Sequence, residues 1–122
     1  YYVNTNASVG NEITTNIGEY RNTELRPDYA HWLTRWRVRW YNSGTNNGIA
    51  YWTIAIRSFT STGTTLATIS TAGGSGGVFT TADVTSFTQP ALGEGIQQYI
   101  SKIGSPGGLR FYSKLFARLI IT

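Results

Sequence analysis

The segment RWRVRW, residues 35–40, sets Arg35, Arg37 and Arg39 among Trp36, Val38 and Trp40. Interleaved guanidiniums and indoles can serve two chemistries. On one surface they form a nucleic-acid platform, where bases stack on rings and phosphates meet cations. In a strand, successive side chains alternate between faces, so rings face a core and arginines face water. Parity separates the two. Trp32, Thr34, Trp36, Val38 and Trp40 occupy even positions, and Leu33, Arg35, Arg37 and Arg39 odd ones. Ring and guanidinium therefore point to opposite sides. No mixed surface is expected, and neither is sequence-specific nucleic-acid binding.

The outward parity recurs further along. Arg57 and Tyr51 share it in IAYWTIAIRSF, residues 49–59, and Arg110, Tyr112, Lys114 and Arg118 share it in the closing run. With Arg35, Arg37 and Arg39 these residues form the candidate interface or ligand surface, one basic sheet face. Either water or a partner covers that face, the partner being an acidic molecule or a neighbouring subunit. Arginine outnumbers lysine eight to two, and arginine is the cation enriched at interfaces. Tyr41, Tyr51, Tyr99 and Tyr112 are the candidates for stacking on a sugar ring, with Tyr51 and Tyr112 foremost for their outward parity.

Other chemistry finds little support. One histidine, His31, and no cysteine cannot supply the usual zinc ligands. No nucleophile elbow accompanies His31, which reads as a residue at the start of a strand. Six acids show no spacing that singles out a glycosidase pair. AGGSGG, residues 72–77, lacks the Lys and Ser/Thr that complete a phosphate loop. NAS at 6–8 is a formal glycosylation sequon. No catalytic residue, metal or cofactor is assigned.

The elements that would carry these residues are strands. Long Ala/Leu/Glu/Lys stretches are absent, while Thr, Ile, Val, Tyr and Trp abound. Residues 1–9 and 12–20 read as short or edge strands, and 22–30 as a loop around Pro27. Runs at 32–40, 49–59, 65–71, 78–92, 96–103 and 109–122 follow, separated by Gly-rich turns. Runs 32–40 and 49–59 are expected to form an antiparallel hairpin with Tyr41 opposite Ile49. Trp36 would then face Ile54, and Val38 would face Trp52. The expected core is Trp36, Val38, Trp40, Trp52, Ile54, Ile56, Phe111, Leu115 and Leu119.

A chain of 122 residues makes one domain with a real core. It divides into a sandwich and, over residues 1–30, an extended N-terminal arm. Net charge is +4, and from His31 onward eight basic residues face two acids. Charged residues are 13% of the chain, about half the usual share. Such a surface, dominated by Thr, Ser, Asn, Gly and Tyr, suits secreted β-proteins and viral surface proteins. No apolar run reaches the ~18 residues of a membrane-spanning helix. The chain starts at Tyr1 and has no methionine, so we expect it to continue from a longer polypeptide.

Two stretches carry a resemblance. NNGIAYWTIAIRSF, residues 46–59, resembles an N-x-Y-W-T-I-x-L strand, and ISKIGSPGGLRFYSKLFARLIIT, residues 100–122, a K-x-G-S-P-G-x-L…R-L-I ending. The combination is similar to β-sandwich modules of tailed-phage virion proteins, found in tail-fibre or receptor-binding tips and in capsid-decorating modules, notably of cyanobacterial phages. The resemblance implies a non-enzymatic, trimeric part exposed on the virion, with other virion proteins and a host-surface glycan as partners. The expected fold is thus all-β, an antiparallel β-sandwich, jelly-roll-like. The expected role is a virion structural or attachment module. The alternative is a carbohydrate-binding module of a secreted protein.

Overall fold

The computed structural model describes residues 2–4, 8–13, 18–23, 30–59, 64–73, 76–90 and 95–120, with side chains within 32–58, 64–73, 76–90 and 95–118. Nine strands occupy them: β1 Tyr2–Asn4, β2 Ser8–Ile13, β3 Gly18–Thr23, β4 Ala30–Asn42, β5 Tyr51–Phe59, β6 Thr65–Ser70, β7 Phe79–Val84, β8 Gly95–Ile103 and β9 Leu109–Ile120. All pairings are antiparallel. One sheet runs β1-β9-β4-β7 with β2 also on β9, and the other runs β3-β8-β5-β6. Every link along the chain from β2 to β9 changes sheet except β5 to β6. That is the double Greek-key wiring of a jelly roll, and the all-β sandwich expected from the strand pattern.

The two sheets bury one core between them. Trp36, Val38, Trp40, Leu109, Phe111 and Leu115 come from the first sheet, and Trp52, Ile54, Ile56, Leu66, Ile96 and Ile100 from the second. The core residues read from the sequence are buried as expected, save Leu119, whose side chain lies outside the described residues. So do the side chain of His31, the sequon residue Asn6 and the loop residues around Pro27.

The hairpin expectation is overturned. β4 and β5 lie in different sheets. Trp36 pairs with Val84 and Leu115, Val38 with Ala82 and Ser113, and Tyr41 with Phe79 and Arg110. The apolar stripes of β4 and β5 meet face to face across the sandwich, and not side by side. Both arrangements bury the same parity, so parity could not choose between them. The connection between them is compatible with the change of sheet: Asn47 Oδ1 accepts from the amides of Ile49 and Ala50, each at 2.9 Å, closing a local turn between β4 and β5.

β4 is not regular throughout. Its register on β9 slips between Leu33 and Arg35, which leaves Thr34 as the extra residue of a bulge. Thr34 Oγ1 donates to the Phe116 carbonyl at 3.2 Å. Before the bulge the parity is reversed, so Leu33 is buried at 1% exposure and Trp32 stands outward at 46%. Beyond the end of β7, the Gln89 side chain takes over as neighbour: its Oε1 accepts from Leu33 N at 2.6 Å and its Nε2 donates to Leu33 O at 3.0 Å. A side-chain amide thus completes the backbone pairing that β7 no longer provides.

Candidate functional site

The outer face of the first sheet is a grid drawn by three strands. Its rows, in the order β7, β4, β9, are Phe79–Tyr41–Arg110, Thr81–Arg39–Tyr112 and Asp83–Arg37–Lys114, with Arg35 beside Phe116 next. Past the bulge, Trp32 pairs with Arg118. Seven of the nine candidate residues therefore share one face. The other two do not: Tyr51 and Arg57 are on β5, in the opposite sheet, where Arg57 lies 4.7 Å from the Tyr99 ring centroid. The expectation of one continuous basic face through Arg57 fails because it rested on the β4–β5 hairpin.

The expectation that rings and guanidiniums stay apart also fails on this face. Within RWRVRW it holds, since Trp36 and Trp40 are buried and all three arginines are exposed. The adjoining strands bring rings of their own. Tyr41 and Phe79 lie 5.3 Å apart between centroids, and Phe79 and Tyr112 6.3 Å apart. Arg39 sits over Phe79 at 4.3 Å and Arg110 over Tyr41 at 5.7 Å, within cation–π range. The bulge adds Trp32. The sequence alternation of β4 places Trp32 inward, and Phe79 is not among the expected surface residues. The odd parity shared by Phe79, Thr81 and Asp83 was a usable signal for β7, whereas nothing local announced the bulge.

Asp83 is the acid of this face. It bridges Arg35 at 2.8 and 3.1 Å and Arg37 at 3.3 and 3.4 Å. Hydrogen bonds from Arg35 and then Arg37 hold its carboxyl down at about 2, and the Arg35 guanidinium is raised in turn by Asp83. A carboxyl depressed by folding adds stability above its unfolded pKa, about 3.9, and loses it as pH falls through the folded value. Asp83→Asn should therefore lower the midpoint of thermal unfolding slightly at pH 6, with the difference from the parent vanishing toward pH 2. The effect is small because the groups are exposed. Unfolding curves of both proteins from pH 7 to pH 2 check it, and a gap that widens in acid would contradict the pairing.

Arg37 is held toward β7 by Asp83, and Arg39 by Phe79. Tyr112 and Lys114 stand across from them on β9. Between the two rows lies a depression of about 290 Å³ walled by Arg37, Arg39, Tyr112 and Lys114. The arrangement presents cations and one phenol to solvent, with no grouping of three or more metal-ligating side chains among the described residues. The charge of this lining is complementary to that of an anion.

No family of known sequences matches the chain, and no curated protein does. Among solved structures the fold is similar to a chain in the structure of infectious bursal disease virus, Gx strain, with a TM-score of 0.57 at 13% identity. It is also similar to the chain of the infectious bursal disease virus VP2 subviral particle, with a TM-score of 0.52 at 14% identity. Each match covers 98% of this chain and 31% and 32% of the viral chains. The chain thus spans about a third of the length of the viral proteins it matches.

Proposed function

We propose that the chain is a non-enzymatic structural module of a virus particle. The observation that carries this reading is the jelly-roll wiring, matched over almost the whole chain by part of a protein that builds a viral particle. The sparse charge and the Thr-, Asn- and Tyr-rich surface agree with it. The YWTI strand and the GSPG turn before the last strand support the finer reading, a tail-fibre tip or capsid-decorating module of a tailed phage. Both stretches serve the fold: Trp52 and Ile54 are core, and Gly107 accepts the Trp52 indole. The experiment is imaging of virions labelled with an antibody to this chain, which should mark the particle at fixed positions. Particles that stay unlabelled would overturn the reading.

Such modules assemble with copies of themselves, and closed rings are the usual solution. We expect a homotrimer, three times the 13.4 kDa chain, by light scattering after gel filtration. A monomer at high micromolar concentration would count against the fibre-tip reading. The alternative, a carbohydrate-binding module of a secreted protein, has the depression on the basic face as its support.

A further inference from the structure

We infer that the depression between Arg37, Arg39, Tyr112 and Lys114 binds a single sugar ring that carries a sulfate or carboxylate. Three observations lead there. The first is charge. Arg35, Arg37, Arg39, Arg110, Lys114 and Arg118 share the face with one described carboxylate, Asp83. Asp83 is already committed to Arg35 and Arg37, and Lys114 makes no ion pair among the described residues. An anion entering the depression meets cations from two strands at once. The arginines supply planar forks matched to a carboxylate or sulfate, and Lys114 a point charge.

The second observation is shape. A volume of about 290 Å³ sits at the small end of ligand sites. It admits one sugar ring with its substituent. The third is the ring. Tyr112 is 39% exposed and lies on the wall of the depression beside the cations. It offers an apolar flank with a hydroxyl at its tip, which suits a saccharide: C–H groups on the ring, hydroxyls on the polar rim.

A nucleic-acid strand fits less well. Successive bases need successive free rings. Phe79 and Tyr41 each have a guanidinium over one side, and they lean on one another. Of the exposed rings that no described guanidinium covers, Trp32 is opposite Arg118, six residues along β9 from Tyr112, about 20 Å away at strand rise. That gap separates two stacking positions too widely for neighbouring bases. The site does not depend on the particle reading, because it is built within one described sheet and is tested on the isolated chain.

The test is a titration of the 122-residue chain at 50 and 150 mM salt, followed by calorimetry and by backbone amide shifts. The probes are a sulfated disaccharide, a uronate disaccharide without sulfate, the neutral disaccharide of the same linkage and an oligonucleotide of equal charge. The two charged sugars distinguish sulfate from carboxylate as the source of the anion. At least one is expected to bind and to shift the amides of residues 37–39 and 112–114, with affinity falling several-fold from 50 to 150 mM salt, as loss of ion contacts requires. The neutral sugar should bind about tenfold more weakly or worse. Lys114→Glu and Arg39→Ala should each weaken the charged sugar by about tenfold. Tyr112→Ala should weaken the sugar but leave the response to free sulfate unchanged. Arg57→Ala, on the opposite sheet, should change nothing, and unfolding midpoints should confirm that all variants are folded. Equal binding of the neutral sugar would overturn the inference. So would failure of both charged sugars to bind, indifference to Lys114→Glu, or tighter binding of the oligonucleotide.

Discussion

Trp52→Ala is expected to destabilise the protein by about 3–5 kcal/mol, the range for emptying a fully buried indole site. Trp52 is wholly enclosed between the sheets. Its Nε1 donates to the Gly107 carbonyl at 2.7 Å, so the ring ties β5 to the turn before β9. Its backbone is clamped as well: its amide donates to Thr71 Oγ1 and its carbonyl accepts from Thr71 N, both at 2.9 Å. Truncation opens a cavity where two sheets meet and removes that tie, although Asn42 Nδ2 still reaches the same carbonyl at 3.3 Å. Trp36→Ala should fall in the same range. Its indole is equally enclosed and donates to Ser113 Oγ at 2.7 Å. Arg37→Ala should cost a small fraction of this, since its side chain is 49% exposed and Asp83 keeps Arg35. Denaturant unfolding of the three variants measures the contrast. Equal costs for Trp36→Ala and Arg37→Ala would mean that the faces of β4 are assigned wrongly.

Gly107→Ala carries the next largest expectation, about 2–3 kcal/mol from forced overpacking. The loops after β4 and before β9 touch backbone to backbone here. Ser43 N donates to Gly108 O, and Gly107 N donates to Thr45 O, each at 2.9 Å. A methyl on Gly107 would stand 2.5 Å from Gly44 Cα and closer still to Gly44 N. Those atoms are main chain and cannot swing aside. The loops would have to part, which strains the Trp52–Gly107 hydrogen bond and the Asn42 contacts with it. Gly48→Ala is the matched control, because a methyl there meets nothing within 4 Å. If the two substitutions shift the unfolding midpoint equally, the close approach of the loops is not what the glycine serves.

The same turn shows why some functional features were legible and others were not. The composition of GSPGG predicts a tight turn, and the segment is a bend that carries the chain from β8 in one sheet to β9 in the other. That Gly107 must be glycine follows from Gly44, which stands 63 positions earlier in the chain. The depression behaves likewise. Arg37, Arg39, Tyr112 and Lys114 were each placed outward by local alternation, but their convergence needed β9 beside β4 at a register that sets Arg37 against Lys114. Asp83 was only one acid among six until β7 placed it against Arg37.

The sequence by itself determined the all-β class, the faces of β5, of β9 and of β4 beyond Thr34, and the tryptophan-centred part of the core. Alternation is a property of the extended backbone, so it can be read one strand at a time. Tertiary structure alone decided which strands are neighbours. Ladder hydrogen bonds use main-chain groups that every strand offers alike, so β4 could have paired with β5 by its residue types and instead pairs with β7 and β9. It also decided the bulge at Thr34. One extra residue reversed the parity before it, buried Leu33 and turned Trp32 out onto the arginine face. A one-residue slip has no signature in composition or periodicity, because both sides of it alternate perfectly well.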